Sequence, residues 1–422
     1  MVKQFLLKKL SQYVRTYFMK HTDIRLIIVV GSIGKTTTKI AIARMLSEQY
    51  AVRMHEGDPR SRIDTMLQLL GIDYPGNKNS PLAWLSILRA AKQRIEQPSD
   101  TQYIIQELDP WKAGASTFFE GIIRPDITVV TGISDGPIRG FGSIEEKAKE
   151  ILQVANFSKY ALVNRDDSDG RFAAFLTNAN ISTYGVSGTA EHRFIEEDSS
   201  LFGGHKGLLS SPLAPHELPI EFYLAGEKNV RPGIAACVIG LLAGMQPEAV
   251  VSAATRIKPL AGRMNILRGV RGSTIIDDSY GATYPSAMAA LQMLYAHQAP
   301  QRIAVFGDML ATPEEHEALG AHCDGIEIQW LVTVGEKAER YLAPQAKAQG
   351  CQVRSFRNAM EAGVFIGSVL EDKGLVLFKG ASEGIYLEEA IKIILHSTAD
   401  EKLLPRQTQA ELDAKAAYFV KE

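Results

Sequence analysis

The sequence predicts an α/β chain of two domains, a doubly wound first domain carrying a small β appendage and a second, Rossmann-like α/β domain after it. Three observations predict this. From Arg25 onward, short apolar runs alternate with longer helix-compatible stretches, the pattern of a parallel sheet with crossover helices. The rhythm breaks between Gly185 and Leu224 and restarts after Met264. A length of 422 residues exceeds what one hydrophobic core usually supports.

The first element is residues 3–19, where Phe5, Leu6, Leu10, Tyr13, Val14, Tyr17 and Phe18 interleave with Lys8, Lys9 and Arg15 at helical spacing. Residues 1–24 therefore read as an amphipathic helix with two uses open to it: packing on the first domain with its lysines snorkelling, or peripheral contact with a membrane surface. Strands are expected at 26–30, 103–108, 126–131, 160–163 and 181–184, where the apolar runs fall. The stretch 185–224 scatters Ser, Gly, Pro and His among short β-like pieces and reads as an antiparallel appendage. A helical stretch over 229–257 then leads to Pro259-Leu260-Ala261-Gly262-Arg263, which closes a first domain of residues 25–263. The second domain, 264–397, has strands expected at 274–277, 303–306, 331–334, 352–356 and 375–378, and 398–422 reads as a polar tail with a loosely docked helix.

Composition narrows the function. With 22% charged residues and a net charge of −2, the chain has no electrostatic reason to bind nucleic acid, so a small charged substrate is expected. Cys237, Cys323 and Cys351 lie far apart, without the paired spacing of a zinc site or disulfide framework, and read as buried thiols. No run approaches the ~20 apolar residues of a membrane span, and the N-terminus lacks a signal peptide's apolar core, so a cytoplasmic protein is expected.

The strongest chemical signal is Gly31-Ser32-Ile33-Gly34-Lys35-Thr36, between the strand ending at Val30 and a helix starting near Lys35. Glycines at 31 and 34 let backbone N–H groups wrap a polyphosphate, Lys35 reaches its β/γ oxygens, and the Thr36 hydroxyl can hold Mg²⁺. Gly31, Ser32, Gly34, Lys35, Thr36 and Thr37 are the expected phosphate contacts, which makes the first domain a P-loop ATPase domain. The loop is shorter than the common Walker pattern, with Val30 where that pattern has glycine. Val30 also stands where partition-type ATPases carry an extra lysine, and no Asn-Lys-x-Asp signature of GTPases is present, so ATP is the expected nucleotide. Glu107 ends an apolar strand, and strand carboxyl ends face the ligand crevice of an open parallel sheet, so it is expected to bind Mg²⁺ with Thr36.

With these motifs in place the chain resembles the Mur ligases. The likeness runs from the loop at 31–38 through Gln106-Glu107-Leu108, Arg124-Pro125-Asp126, Gly140-Phe141-Gly142-Ser143, Asn164 with Asp166-Asp167, and 226–229. It continues through Gly262-Arg263, Ile276-Asp277-Asp278-Ser279-Tyr280, Phe306-Gly307-Asp308-Met309-Leu310 and Lys379-Gly380-Ala381-Ser382, covering roughly residues 25–395. The resemblance implies an ATP-dependent amide ligase. A substrate carboxylate takes the γ-phosphoryl group of ATP to form an acyl phosphate, and the amine of an amino acid or dipeptide then displaces phosphate. It further implies nucleotide contacts by Asn229 and Arg263, and by Asp278 and Tyr280 when the two domains approach each other.

The pattern also departs from the family. Only about two dozen residues precede the first strand, so no counterpart of the family's UDP-binding domain is expected. Pro137 stands where the family has a metal-binding histidine, Lys228 replaces a second histidine, Pro232 replaces an asparagine, and Gly281 interrupts Tyr-Asn-Ala. Lys147 and Lys149 are both open as the family's carbamylated lysine. Asp135, two residues before Pro137, either supplies the missing histidine's charge to Mg²⁺ or shapes the Ser134-Asp135-Gly136-Pro137 turn. A cell-wall precursor is the leading acceptor. A poly-amino-acid or folate-type acceptor, and a nucleotide-binding scaffold without ligase activity, are the alternatives.

Overall fold

Val/Ile-rich runs with little alternation belong in strands buried on both faces, and the first such run lies inside its sheet with a strand on either side. The computed structural model describes all residues except 1, 56–58, 60, 78, 111–112, 134–139, 169, 383 and 420–422. The chain divides into two units, one of Met1–Ser199, His205–Tyr223 and Glu227–Lys258, the other of Ser200–Gly204, Leu224–Gly226 and Pro259–Glu422.

In chain order the first sheet contains β1 (Arg25–Val30), β2 (Val52–Met54), β3 (Tyr103–Glu107), β4 (Ile127–Val130), β5 (Tyr160–Asn164), β6 (Ile181–Gly185), β7 (His192–Ser200), β8 (Gly204–Ser210) and β9 (Leu218–Phe222). Their spatial order is β2-β3-β1-β4-β5-β6-β7-β8-β9. β1 runs parallel to β3 on one side and to β4 on the other, so the strand order reverses there. A reversal of this kind opens a crevice at the carboxyl ends of the strands, where ligands of doubly wound sheets bind.

Three features differ from the sequence reading. The 185–224 stretch, expected as a small antiparallel appendage, does hold the antiparallel pair β8–β9, but β7 pairs in parallel with β6 and all three strands extend the main sheet. The open edge of β6 has backbone groups to satisfy, and Phe194 and Phe222, with ring centroids 5.4 Å apart, supply a core for the extension. Strand β2 has only three residues, with Arg53 at its middle, too short for its periodicity to register. The 229–257 stretch is two helices, Glu227–Leu242 and Pro247–Ala254, separated by a turn through Gly244 and entered again at Pro247.

The second sheet is built from β10 (Asn265–Arg268), β11 (Thr274–Asp278), β12 (Arg302–Gly307), β13 (Trp330–Val334), β14 (Val353–Phe356) and β15 (Leu375–Lys379). They lie in the order β10-β11-β15-β12-β13-β14, with only β10 antiparallel to its neighbour. β10, half-buried and at an edge, was not expected. The tail is tied down rather than loose: Leu404 and Phe419 pack on the core under β12 and β15, and the Lys415 ammonium, nearly buried, sits 2.9 Å from Glu388 and 2.8 Å from Glu389. A tail polar in sequence docks because its charges meet buried partners of opposite sign.

At the end of β11, fully buried Asp277 accepts hydrogen bonds from the Gly262 amide (3.0 Å) and from the Ser279 hydroxyl (2.5 Å) and amide. Burial outweighs these bonds and raises its pKa from 3.8 to about 6. All three cysteines are buried free thiols, and burial raises the pKa of each.

The N-terminal helix Val2–Lys20 packs on helices Arg62–Leu70 and Pro81–Glu96. Leu10, Val14 and Tyr17 are fully buried, so the stripe that a membrane reading needs is used by the core. Among the described residues, no helix is long and apolar enough to cross a membrane.

Leu10→Ala is expected to lower the stability of the first unit by about 2–5 kcal/mol, and Phe5→Ala, at an exposed site, by less than about 0.5 kcal/mol. Equal shifts in urea unfolding would show that the helix is not part of the core. A second expectation concerns pH. Between pH 3.8 and about 6 the folded second unit keeps the Asp277 proton that the unfolded chain releases. Its stability therefore falls as pH rises through that window, and Asp277→Asn is expected to flatten this slope in thermal melts across the range.

Candidate functional site

The loop after β1 is shaped by a close approach to the loop after β4. Gly31 has φ 148°, and a β-carbon there would lie 2.1 Å from the Thr131 hydroxyl oxygen. The Ser32 amide donates to the Gly132 carbonyl at 2.8 Å, and the Thr131 hydroxyl donates to the Ile33 carbonyl at 2.5 Å. Gly132 in turn, at φ 147°, faces Asp167 closely enough to exclude a side chain. The Ser32 N–H therefore holds the two loops together rather than pointing outward.

Gly34 ends the loop at φ 75° and caps the helix Lys35–Leu46 without a side-chain hydrogen bond. With no side-chain cap at Gly34, the first turn of this helix presents a positive dipole end, an element of an anion site. Lys35 and Thr36 lie in that turn with Thr37 beside them, all half-buried. The Lys35 ammonium donates to the Gly31 carbonyl at 3.0 Å and lies 3.6 Å from the exposed Asp109 carboxylate. It folds back over the loop, where a phosphate oxygen can compete for its protons.

Glu107, at the end of β3 and 3% exposed, accepts a hydrogen bond from the Thr36 hydroxyl at 3.1 Å. Two neighbouring oxygens of an octahedral Mg²⁺ shell, with bonds of about 2.1 Å, stand roughly 3 Å apart, so this pair suits such an ion. No cluster of three or more His, Cys, Asp or Glu side chains fit for a metal occurs among the described residues. The Lys39 ammonium, 1% exposed, lies 3.4 Å from the same Glu107 oxygen and balances its buried charge. Sequence reasoning passed over Lys39; its position one helical turn after Lys35 was the available signal.

Asn164 braces the Thr131 loop, donating to the Thr131 carbonyl at 2.7 Å and to Asp167 at 2.9 Å. Asp166 accepts from the amides of Val186 and Ser187 and from Arg231, each at 2.9 Å. This motif is thus a frame beneath the loops. Asn229 lies half-buried in the first turn of the helix Glu227–Leu242. Lys147 and Lys149 separate on the helix Ile144–Asn156: Lys149 is exposed with its ammonium 5.4 Å from the Phe175 ring centroid, and Lys147 is half-buried. Asp135 and Pro137 lie outside the described residues.

In the second unit, Asp278 pairs with buried Lys379 at 2.7 Å, and Lys379 also donates to the Gly281 carbonyl at 2.7 Å. Burial lowers the Lys379 pKa, with Asp278 opposing that shift. The Arg263 guanidinium lies 5.4 Å from the Tyr280 ring centroid, within cation–π range, and has no carboxylate partner among the described residues. Arg263, Asp278 and Tyr280 thus form one cluster, joined by Lys379, which sequence reasoning had as a motif residue without a role.

Comparison with known proteins extends this picture. The model of the Mur ligase middle domain matches residues 29–240, and that of the Mur ligase glutamate ligase domain matches residues 262–382. The UDP-N-acetylmuramoyl-tripeptide--D-alanyl-D-alanine ligase of Bacillus subtilis is 24% identical over 406 residues, covering 93% of this chain and 80% of the relative. The ligase of the same name from Mycobacterium tuberculosis (strain H37Rv) is 28% identical over 329 residues, 73% of this chain, and the chain spans only 58% of that relative. Among solved structures, MurF from Acinetobacter baumannii superposes with a TM-score of 0.74 at 20% identity, covering 90% of this chain and 79% of that one. MurF from Thermotoga maritima, solved in complex with ADP, gives 0.67 at 16% identity, covering 95% and 85%. The α/β architecture read from the sequence is the fold these structures share, and with both matched domains in order the chain belongs to the Mur ligase family.

Proposed function

We propose that this chain is an ATP-dependent carbon–nitrogen ligase that joins a substrate carboxylate to the amine of an amino acid or dipeptide. The observation that carries the reading is the convergence of Lys35, Thr36 and Glu107 at the uncapped start of one helix. The γ-phosphoryl group passes to the carboxylate oxygen as the bond to ADP breaks. The amine nitrogen then attacks the acyl carbon, phosphate departs, and the nitrogen loses a proton. Such chemistry needs positioning and neutralisation of phosphate charge more than covalent help. In this reading the Lys35 ammonium leaves the Gly31 carbonyl for the β/γ oxygens, and the helix start receives the phosphates with Gly31, Ser32, Gly34 and Thr37 shaping the loop. Thr36 and Glu107 would hold Mg²⁺, which supplies further charge neutralisation when bound. Asn229, Arg263, Asp278 and Tyr280 are assigned to the nucleotide, and half-buried Lys147 is preferred over exposed Lys149 as the modified lysine.

The names of the relatives direct the choice of substrates. A UDP-muramoyl tripeptide and D-alanyl-D-alanine are the first pair to offer the purified protein with Mg-ATP. Release of ADP and phosphate that requires both is the expected result. Release with a folate or poly-amino-acid acceptor instead would move the acceptor, and no amine-dependent release would leave a nucleotide-binding scaffold.

Lys35→Ala is expected to weaken Mg-ATP binding by roughly 10- to 100-fold in calorimetry, the worth of a charge-assisted hydrogen bond. Unchanged affinity would remove the phosphate-loop assignment. Glu107→Ala is expected to reduce turnover by about 100-fold while changing ATP affinity only a few-fold, since a metal ligand serves the transition state. Equal turnover would return Glu107 to a structural role.

A further inference from the structure

The tail brings two residues, Pro405 and Arg406, against three of the motif stretches of the second unit. Leu404 enters the core at 3% exposure, and Pro405 abuts the turn at Gly262, where a β-carbon would lie 3.0 Å from the Pro405 Cγ. Arg406 follows in left-handed backbone at φ 57°, which a non-glycine residue adopts only under constraint. Its Nε donates to Glu388 Oε1 at 2.6 Å, its Nη2 to Glu388 Oε2, and its Nη1 to the Ser382 carbonyl. The guanidinium carbon stands 5.2 Å from the Tyr280 ring centroid and 5.1 Å from that of Tyr386.

Tyr280 therefore has two guanidinium groups in range, Arg406 and Arg263. Two such cations repel unless one is neutralised. Fully buried Glu388 neutralises Arg406 through a two-pronged pair, and leaves Arg263 as the cation of the two without a carboxylate partner among the described residues. A ring held by one fixed guanidinium offers a fixed platform to the second guanidinium. Mere attachment of the tail does not require this arrangement, because Leu404, Phe419 and the Lys415 ion pairs already anchor it.

We propose that Arg406 is a positioning residue for nucleotide binding, holding Tyr280 and through its ring the Arg263 guanidinium, which meets a phosphate of the nucleotide. The proposal rests on the assignment of Arg263 and Tyr280 to the nucleotide made above. It places a determinant of ATP affinity in the polar tail, beyond the residues matched by either family domain.

The test is Mg-ATP titration of the full chain by calorimetry, with thermal melts in parallel. Arg406→Met is expected to weaken binding about tenfold, and Arg406→Lys, which keeps the charge for Glu388 but loses the planar fork, about fivefold. Combined with Arg263→Ala, either variant is expected to bind no more weakly than Arg263→Ala alone, because both act through one contact. If Arg406→Met does not fold, the lysine variant decides. A folded Arg406→Lys with a lowered melting temperature and wild-type affinity would overturn the proposal, as would losses that multiply in the double variant. Wild-type affinity in Arg263→Ala, with binding lost in Lys35→Ala, would instead show that the second-unit nucleotide assignment has failed, taking the role of Arg406 with it. No binding by the wild-type chain would sink the proposed function itself.

Discussion

Everything at the phosphate loop depends on how closely the ends of β1 and β4 approach each other. The approach is set by two glycines, Gly31 and Gly132, each at positive φ and each lacking room for a β-carbon. Because the loops touch backbone to backbone, the Thr131 hydroxyl can reach Ile33 and the Ser32 amide can reach Gly132. The helix at Lys35 then starts from a fixed point, with its first-turn N–H groups aimed into the crevice that the strand order creates. The frame reaches further back, since Asn164 holds the Thr131 carbonyl and Asp166 draws in Arg231 and the end of β6.

A second theme is the pairing of buried charges beneath residues assigned to chemistry. Lys39 lies under Glu107, Lys379 beside Asp278, and Glu388 under Arg406. Ion pairs of this kind add little net stability compared with an apolar replacement, but losing one partner leaves an uncompensated buried charge. Their value lies in orientation. Each holds a carboxylate or guanidinium in one direction, which a flexible side chain in water would not keep.

Much of this was legible in the sequence. The strands of both sheets announced themselves as Val/Ile/Leu runs because they are buried on both faces, and the loop 31–36 stood out because glycine and lysine at that spacing have few other uses. What the sequence hid had physical reasons. Strands β2 and β10, three and four residues long, are too short for a period-two signal. The continuity of β7–β9 with the main sheet was hidden because the pairing of β7 with β6 covers only Tyr184 and Gly185. The tail looked loose because polar residues count as solvent-facing until a buried partner such as Glu388 is known, and that partner is distant in sequence. Arg406 was missed for the same reason: a cation's role lies in the carboxylate it faces, and pairing across the fold leaves no local pattern; Lys39 had a local signal in its place one turn after Lys35, but its partner Glu107 lay across the fold.

The three thiols have a practical consequence. Cys237, Cys323 and Cys351 are at most 6% exposed, and burial keeps each protonated at neutral pH. Since the thiolate is the reactive form, the folded chain presents alkylating dyes with almost no nucleophilic sulfur. It is in effect a cysteine-free background made by burial rather than by mutation. A single thiol placed at an exposed site such as Ile326, 86% accessible, would carry a fluorophore alone, and a second at Leu82, 77% accessible, would put a reporter on each unit. The distance between the two units, and its response to nucleotide, can then be followed in solution without removing a native residue from either core.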